Sequence, residues 1–160
     1  WFDFPEYKEI KEFYGNGKAN RSQEFFMWHI THGCNYLSTI CASDPTIKAY
    51  MLHPKFQSDV DFQNNWLELF SGRYAPIVSR NIIEYRKVAN AYLCKPYTDG
   101  WDIDTIKEAA PIPFEDVRKM LLADKYQNYS DFMKYHYGQH KRSDELKSYF
   151  EKWMEYLNSI

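Results

Sequence analysis

The stretch "AYMLHPKFQSD", residues 49–59, decides how this chain is read. An apolar run ends in His53, and Pro54 follows it. Nothing in the run alternates as a half-buried strand does. Just upstream, Asp44 stands as an N-cap, with Pro45 in the favoured first turn of a helix. The spacing therefore predicts a helix that starts at Asp44. It is expected to end near His53-Pro54, because proline disfavours helical geometry in the residue before it. An apolar run closing on a histidine is also how many metal sites begin, yet the residue after it, proline, ligates nothing.

Outward from this stretch, the other segments also show helical periodicity. A helix over about 6–14 stops at Gly15, and the loop "YGNGKANRS" follows. Helices are predicted over about 23–42, 62–70 and 74–92, the last carrying Ile77, Val78, Ile82, Tyr85 and Val88 at helical spacing. Pro76 fits only the first turn of that helix. The connection over 94–113 contains three prolines and one glycine and is expected to hold a single helical turn. Its length is that of a lid or binding loop. "PFEDVRKMLLADKYQNYSDFMKYHYG" reads as a further helix, and Ser143 is expected to cap a final one over about 143–158. With no strand pattern and no repeat, the predicted fold class is all-α, a single-domain helical bundle over 1–160.

Composition sets the outer bounds. A chain of 160 residues can bury roughly two-thirds of its unfolded surface, so it folds without a disulfide or structural metal. The aromatic content is 19%, which suits an aromatic core, an interaction surface, or a homo-oligomer contact. The net charge of −2 offers no basic field to recruit nucleic acid. Three cysteines without C-x-x-C spacing argue against a disulfide framework and a zinc knuckle, and point to a reducing, cytoplasmic setting. No signal-like segment or bilayer-length apolar run is read, and the start at Trp1 fits a trimmed chain.

Polar groups on apolar stripes carry the functional information, because burying them costs free energy unless a partner is present. Asp124 follows Val117, Met120 and Leu121 on one helical face, and Asn128 continues that face. His29 falls one turn after Phe25 and Phe26, on the face that continues to Gly33 and Leu37, and His32 is one turn further. Each of these histidines has an ordinary reading as a hydrogen-bonded core residue, and Asp124 as an internal cap or ion pair. His136 and His140 lie in a charged C-terminal region and are expected to face solvent.

Taken in order, "YGNGKANRSQEFFMWHITHG", "AYMLHPKFQSD", "LFSGRYAPIVSRNI" and "MLLADKYQN" resemble the HD-domain superfamily of metal-dependent phosphohydrolases, in particular its RelA/SpoT-type guanosine tetraphosphate hydrolase domains. The resemblance covers about residues 13–128, and "LADKYQN" is its most specific segment. It implies an HD-like helical domain in which His29, His53 and Asp124 hold a divalent metal (Mn, Zn, Fe or Co). It also implies a substrate that is a nucleotide or another small phosphorylated molecule. Asn128 matches the family's substrate-facing asparagine, and Lys18 and Arg21 fall where the family contacts phosphate or base. Lys55 and Lys125 are further cations available to phosphate. Two imidazoles and a carboxylate suit a first-row divalent ion, which acidifies its water toward neutral pH.

The sequence departs from the family at two places. Pro54 stands where the family has the aspartate of its His-Asp pair, and Gln57 and Ser58 stand where a Glu-Asp pair assists proton transfer. Three protein ligands are enough for a catalytic metal. His32 and Asp59, and more weakly Asp61, are candidate stand-ins for the missing ligand. The tetraphosphate reaction itself is not expected with both acidic elements gone. The expected function is a divergent HD-type metallohydrolase. The alternatives are a catalytically inactive HD-like binding or regulatory module, and a helical domain unrelated to that superfamily.

Overall fold

Pro5, Pro45 and Pro76 each sit in the first turn of a helix, where a missing N–H costs nothing. A computed structural model describes residues 1–20, 22–93, 103–112, 114–139 and 141–160. The helices are α1 (Pro5–Tyr14), α2 (Phe26–Thr39), α3 (Asp44–Gln57), α4 (Asp59–Phe70), α5 (Pro76–Leu93), α6 (Ile103–Ala109), α7 (Glu115–Tyr135) and α8 (Ser143–Ser159). Among the described residues the only extended pairing is an isolated bridge between Lys18 and Phe25. The fold is all-α. No described helix is long and apolar enough to cross a membrane.

The centre of the bundle is α3, which packs against α1, α2, α4, α5 and α7. Its residues are buried on every side, Tyr50, Met51, Leu52 and Phe56 completely so. A helix buried all round in this way, with Thr46, His53 and Lys55 among its buried residues, is an internal one. Against it lies α7, whose buried stripe of Val117, Met120, Leu121 and Asp124 matches the spacing in the sequence. The final helix closes the far side with Trp153, Tyr156 and Leu157.

Several helix boundaries differ from the sequence reading. The N-cap of α3 is Ser43, whose hydroxyl accepts from the Thr46 N–H, so Asp44 is the first helical residue. The same helix does not stop at His53-Pro54 but runs on to Gln57 with Pro54 inside it. Burial among five neighbouring helices overrides the local preference there. The start of α2 falls three residues later than expected, because Gln23 is in a left-handed conformation (φ 60°) and Phe25 is held by the bridge to Lys18. Cys41, also left-handed (φ 51°), ends the chain's helical path after Thr39. Ser58 caps α4 earlier than the periodicity suggested, by accepting from the Asp61 N–H. Ser143 is the first residue of α8 and not its cap, and its hydroxyl accepts from Gly138 N–H at 3.0 Å. Within the 94–113 connection, residues 94–102 and 113 lie outside the described residues; the rest holds α6, packed on α5 and α8 through buried Ile106.

Candidate metal centre

Three helices each contribute one ligand-type side chain to a single point. His29 comes from α2, His53 from α3 and Asp124 from α7, with one ligand atom of each within 4.8 Å of the others. His29 Nε2 lies 3.4 Å from Asp124 Oδ1. Two ligands bound to one ion at 2.0–2.1 Å with tetrahedral geometry would stand about 3.3–3.4 Å apart, a separation the His29–Asp124 pair matches, while 4.8 Å bounds the three atoms together.

Hydrogen bonds fix both rings in the same tautomer. His29 Nδ1 is 2.5 Å from Gln127 Oε1, and Gln127 Nε2 donates to Asp131 at 2.7 Å. That second bond sets the amide orientation, so His29 Nδ1–H is the donor and, in the neutral ring, the lone pair is on Nε2. His53 Nδ1 is 2.5 Å from the Tyr50 carbonyl oxygen, which only accepts, so its Nε2 also carries the lone pair. A histidine tethered through one nitrogen to an amide or carbonyl is the usual arrangement of a metal ligand. Asn128 donates to Asp124 Oδ1 at 2.9 Å and orients the carboxylate.

Tyrosines form the floor. Gly33 makes room for one of them, since a Cβ there would lie 2.0 Å from the Tyr50 hydroxyl. That hydroxyl sits 3.3 Å from His29 Nε2 and 3.5 Å from the His29 carbonyl oxygen. The Tyr85 ring lies 4.7 Å from the His53 ring, and its buried hydroxyl faces the Asp124 carboxylate.

The electrostatics leave His53 neutral and Asp124 ionised. Burial, followed by the nearby His29, pushes His53 down to about 4, so its ring is neutral at physiological pH. Burial alone would raise Asp124, but Lys125, then His29 and His53, outweigh it and hold the carboxylate below its ordinary value. Burial works against the Lys125 ammonium, and Asp124 followed by Tyr149 keeps it charged.

A pH dependence of stability follows. The unfolded chain takes up a proton at His53 near 6.5, and the folded chain only near 4. Between those values the unfolded state binds more protons, so stability falls as pH drops through that window, by up to about 3 kcal/mol. The contribution of Asp124 is lost lower still, as pH falls through its depressed folded value. Thermal unfolding in chelator at pH 7, 5.5 and 4.5 checks this, and His53→Gln is expected to flatten the profile between pH 7 and 4.5.

A cleft of about 380 Å³ opens over the cluster, walled by Tyr14, Phe25, Trp28, His32, Pro54, Gln57, Lys125, Asn128 and Asp131 among others. Of the expected substrate-side residues, Lys125 and Asn128 are in it. Lys18 is exposed, with its ammonium 4.5 Å from the centre of the Phe25 ring at the rim, and does not line the cleft. Arg21 and His140 lie outside the described residues, and His136 is half-buried at the C-cap of α7.

Lys55 is a correction to the sequence reading. It is buried between Glu9 (2.8 Å) and Glu68 (2.6 Å), and the Tyr74 hydroxyl lies 2.5 and 2.8 Å from the same two carboxylates. Two residues past His53 on a helix is the opposite side, facing α1 and α4 and not the cleft. The stand-in ligands are also not brought in. His32 lines the cleft and packs edge-on to Trp28, outside the ligand group. Asp59 is exposed and paired with Arg86. Asp61 is tied to the Ser58 hydroxyl at the start of α4.

Gln127, Asp131, Tyr50 and Tyr85 are site residues that the sequence reading missed. Gln127 lay inside the most specific motif, one position before Asn128, and Tyr50 lay one helical turn before His53. Comparison with protein-family models, curated proteins and solved structures finds no match.

Proposed function

We propose that this chain is a divergent HD-type phosphohydrolase in which His29, His53 and Asp124 hold one divalent metal ion. The cleft above them takes a nucleotide or another small phosphorylated molecule. One observation carries the reading: ligand atoms from three separate helices converge, with two imidazoles fixed as Nε2 lone-pair donors around a charged carboxylate. That donor set suits zinc, manganese, iron or cobalt. The ion supplies Lewis acidity at phosphorus and a water made acidic near neutral pH.

The chain's own residues do the rest. Asn128, held by its bond to Asp124, lines the cleft wall where a substrate would lie. Gln127 and Asp131 hold His29 in its tautomer. Trp28, Phe25 and Tyr14 give a planar or apolar portion of the substrate a surface to rest on. Lys134, at the rim and near Glu24, is the remaining cleft cation among the described residues besides Lys125.

One observation favours the inactive binding module. Lys125 Nζ stands 3.5 Å from Asp124 Oδ2, so the carboxylate already has an internal cation, and Pro54 removes a ligand. A screen of nucleotide phosphoesters and pyrophosphates with manganese, cobalt and zinc separates the two readings. The hydrolase reading expects metal-dependent turnover that His29→Ala abolishes. Nucleotide-induced thermal stabilisation without turnover, unchanged by chelator, selects the binding module.

A further inference from the structure

We infer that Pro54 is a positioning residue for His53: by withholding a backbone N–H it frees the Tyr50 carbonyl to accept the ring's Nδ1 proton. In an uninterrupted helix the carbonyl of residue 50 accepts from the N–H of residue 54. Proline has no N–H to give, yet α3 continues through it to Gln57. The carbonyl left over is buried, because Tyr50 is fully enclosed, and a buried carbonyl needs a partner. His53 Nδ1 is that partner, at 2.5 Å, one turn back along its own helix.

The consequence is a fixed tautomer. With Nδ1–H spent on the Tyr50 carbonyl, the lone pair of His53 is confined to Nε2. Any residue with an N–H at position 54 would put a second donor on that carbonyl, in line with the helix axis, and loosen the ring's hold. The residue after His53, a vacant ligand position by the HD resemblance, thus still acts on the site by orienting the ligand before it. The tautomer stands independently of the metal; its effect on metal affinity rests on the proposed function.

The test is nitrogen-15 NMR of the histidine rings in the full, chelator-treated chain, compared with Pro54→Ala and Pro54→Ser. The unsubstituted chain is expected to show His53 in the single Nδ1–H form, and both variants a mixture of the two neutral forms. Both variants are also expected to unfold at a higher temperature, since a proline leaves the helix interior. Cobalt titration followed by visible absorption is expected to show about 10–100-fold weaker binding in the variants, the usual cost of losing a partner behind a metal ligand. Retention of the pure Nδ1–H form in both variants, or its absence from the unsubstituted chain, overturns the inference. Equal cobalt affinity in all three proteins overturns the positioning role and leaves the metal reading intact. If the unsubstituted chain takes up no cobalt, the metal reading fails, and the ring tautomers alone decide the role of Pro54.

Discussion

Asp124→Ala is expected to destabilise the chain by about 3–5 kcal/mol and to abolish metal uptake. The stability loss comes from Lys125, not from the aspartate's own contacts. The Lys125 side chain is 3% exposed, and its ammonium rests 3.5 Å from Asp124 Oδ2 and over the Tyr149 and Trp153 rings. Removing the carboxylate leaves that charge buried without an ionic partner, which is among the most costly single changes in a folded chain. The same loss predicts strong non-additivity. Asp124→Ala combined with Lys125→Met is expected to recover much of the stability and none of the metal binding. Urea unfolding of the three variants checks the first half, and metal content after loading checks the second.

Lys55→Met is expected to cost about 3 kcal/mol, or roughly 6–12 °C of Tm for a chain of this size, while leaving metal affinity unchanged. Lys55 bridges Glu9 and Glu68, and the Tyr74 hydroxyl, with one proton to share, lies 2.5 and 2.8 Å from the same two carboxylates, tying α1, α3 and α4 to the residues before α5. Without the ammonium, two half-buried carboxylates face each other, and among the described residues the exposed Arg73 is the cation left paired with them. Thermal unfolding and a cobalt titration measure the two effects side by side. A large loss of metal or nucleotide binding without a stability change would instead place Lys55 at the cleft.

The contrast between these two lysines shows what could be read from the chain. Asp124, His29 and His53 were legible because each sits on an apolar stripe at helical spacing, where a polar group needs a reason. Their order along the chain then brought them together. Lys55 offered no such signal, since its partners Glu9 and Glu68 lie 46 and 13 residues away and only the packing of α1 and α4 against α3 assembles them. The all-α class was legible from periodicity throughout. The passage of α3 through Pro54 was not, because the rule that proline ends helices describes a local preference that burial among five helices outweighs. Tyr85 gave no signal at all: in a chain with 14 tyrosines, only the position of its hydroxyl beside the cluster marks it out.

The most direct test of the metal centre is the metal content of the chain after loading with cobalt or zinc and removal of excess ion, alongside His29→Ala and Asp124→Asn. The account predicts one ion per unsubstituted chain and none in either variant. Equal content in all three proteins, or no ion in the unsubstituted chain under any loading condition, would contradict it.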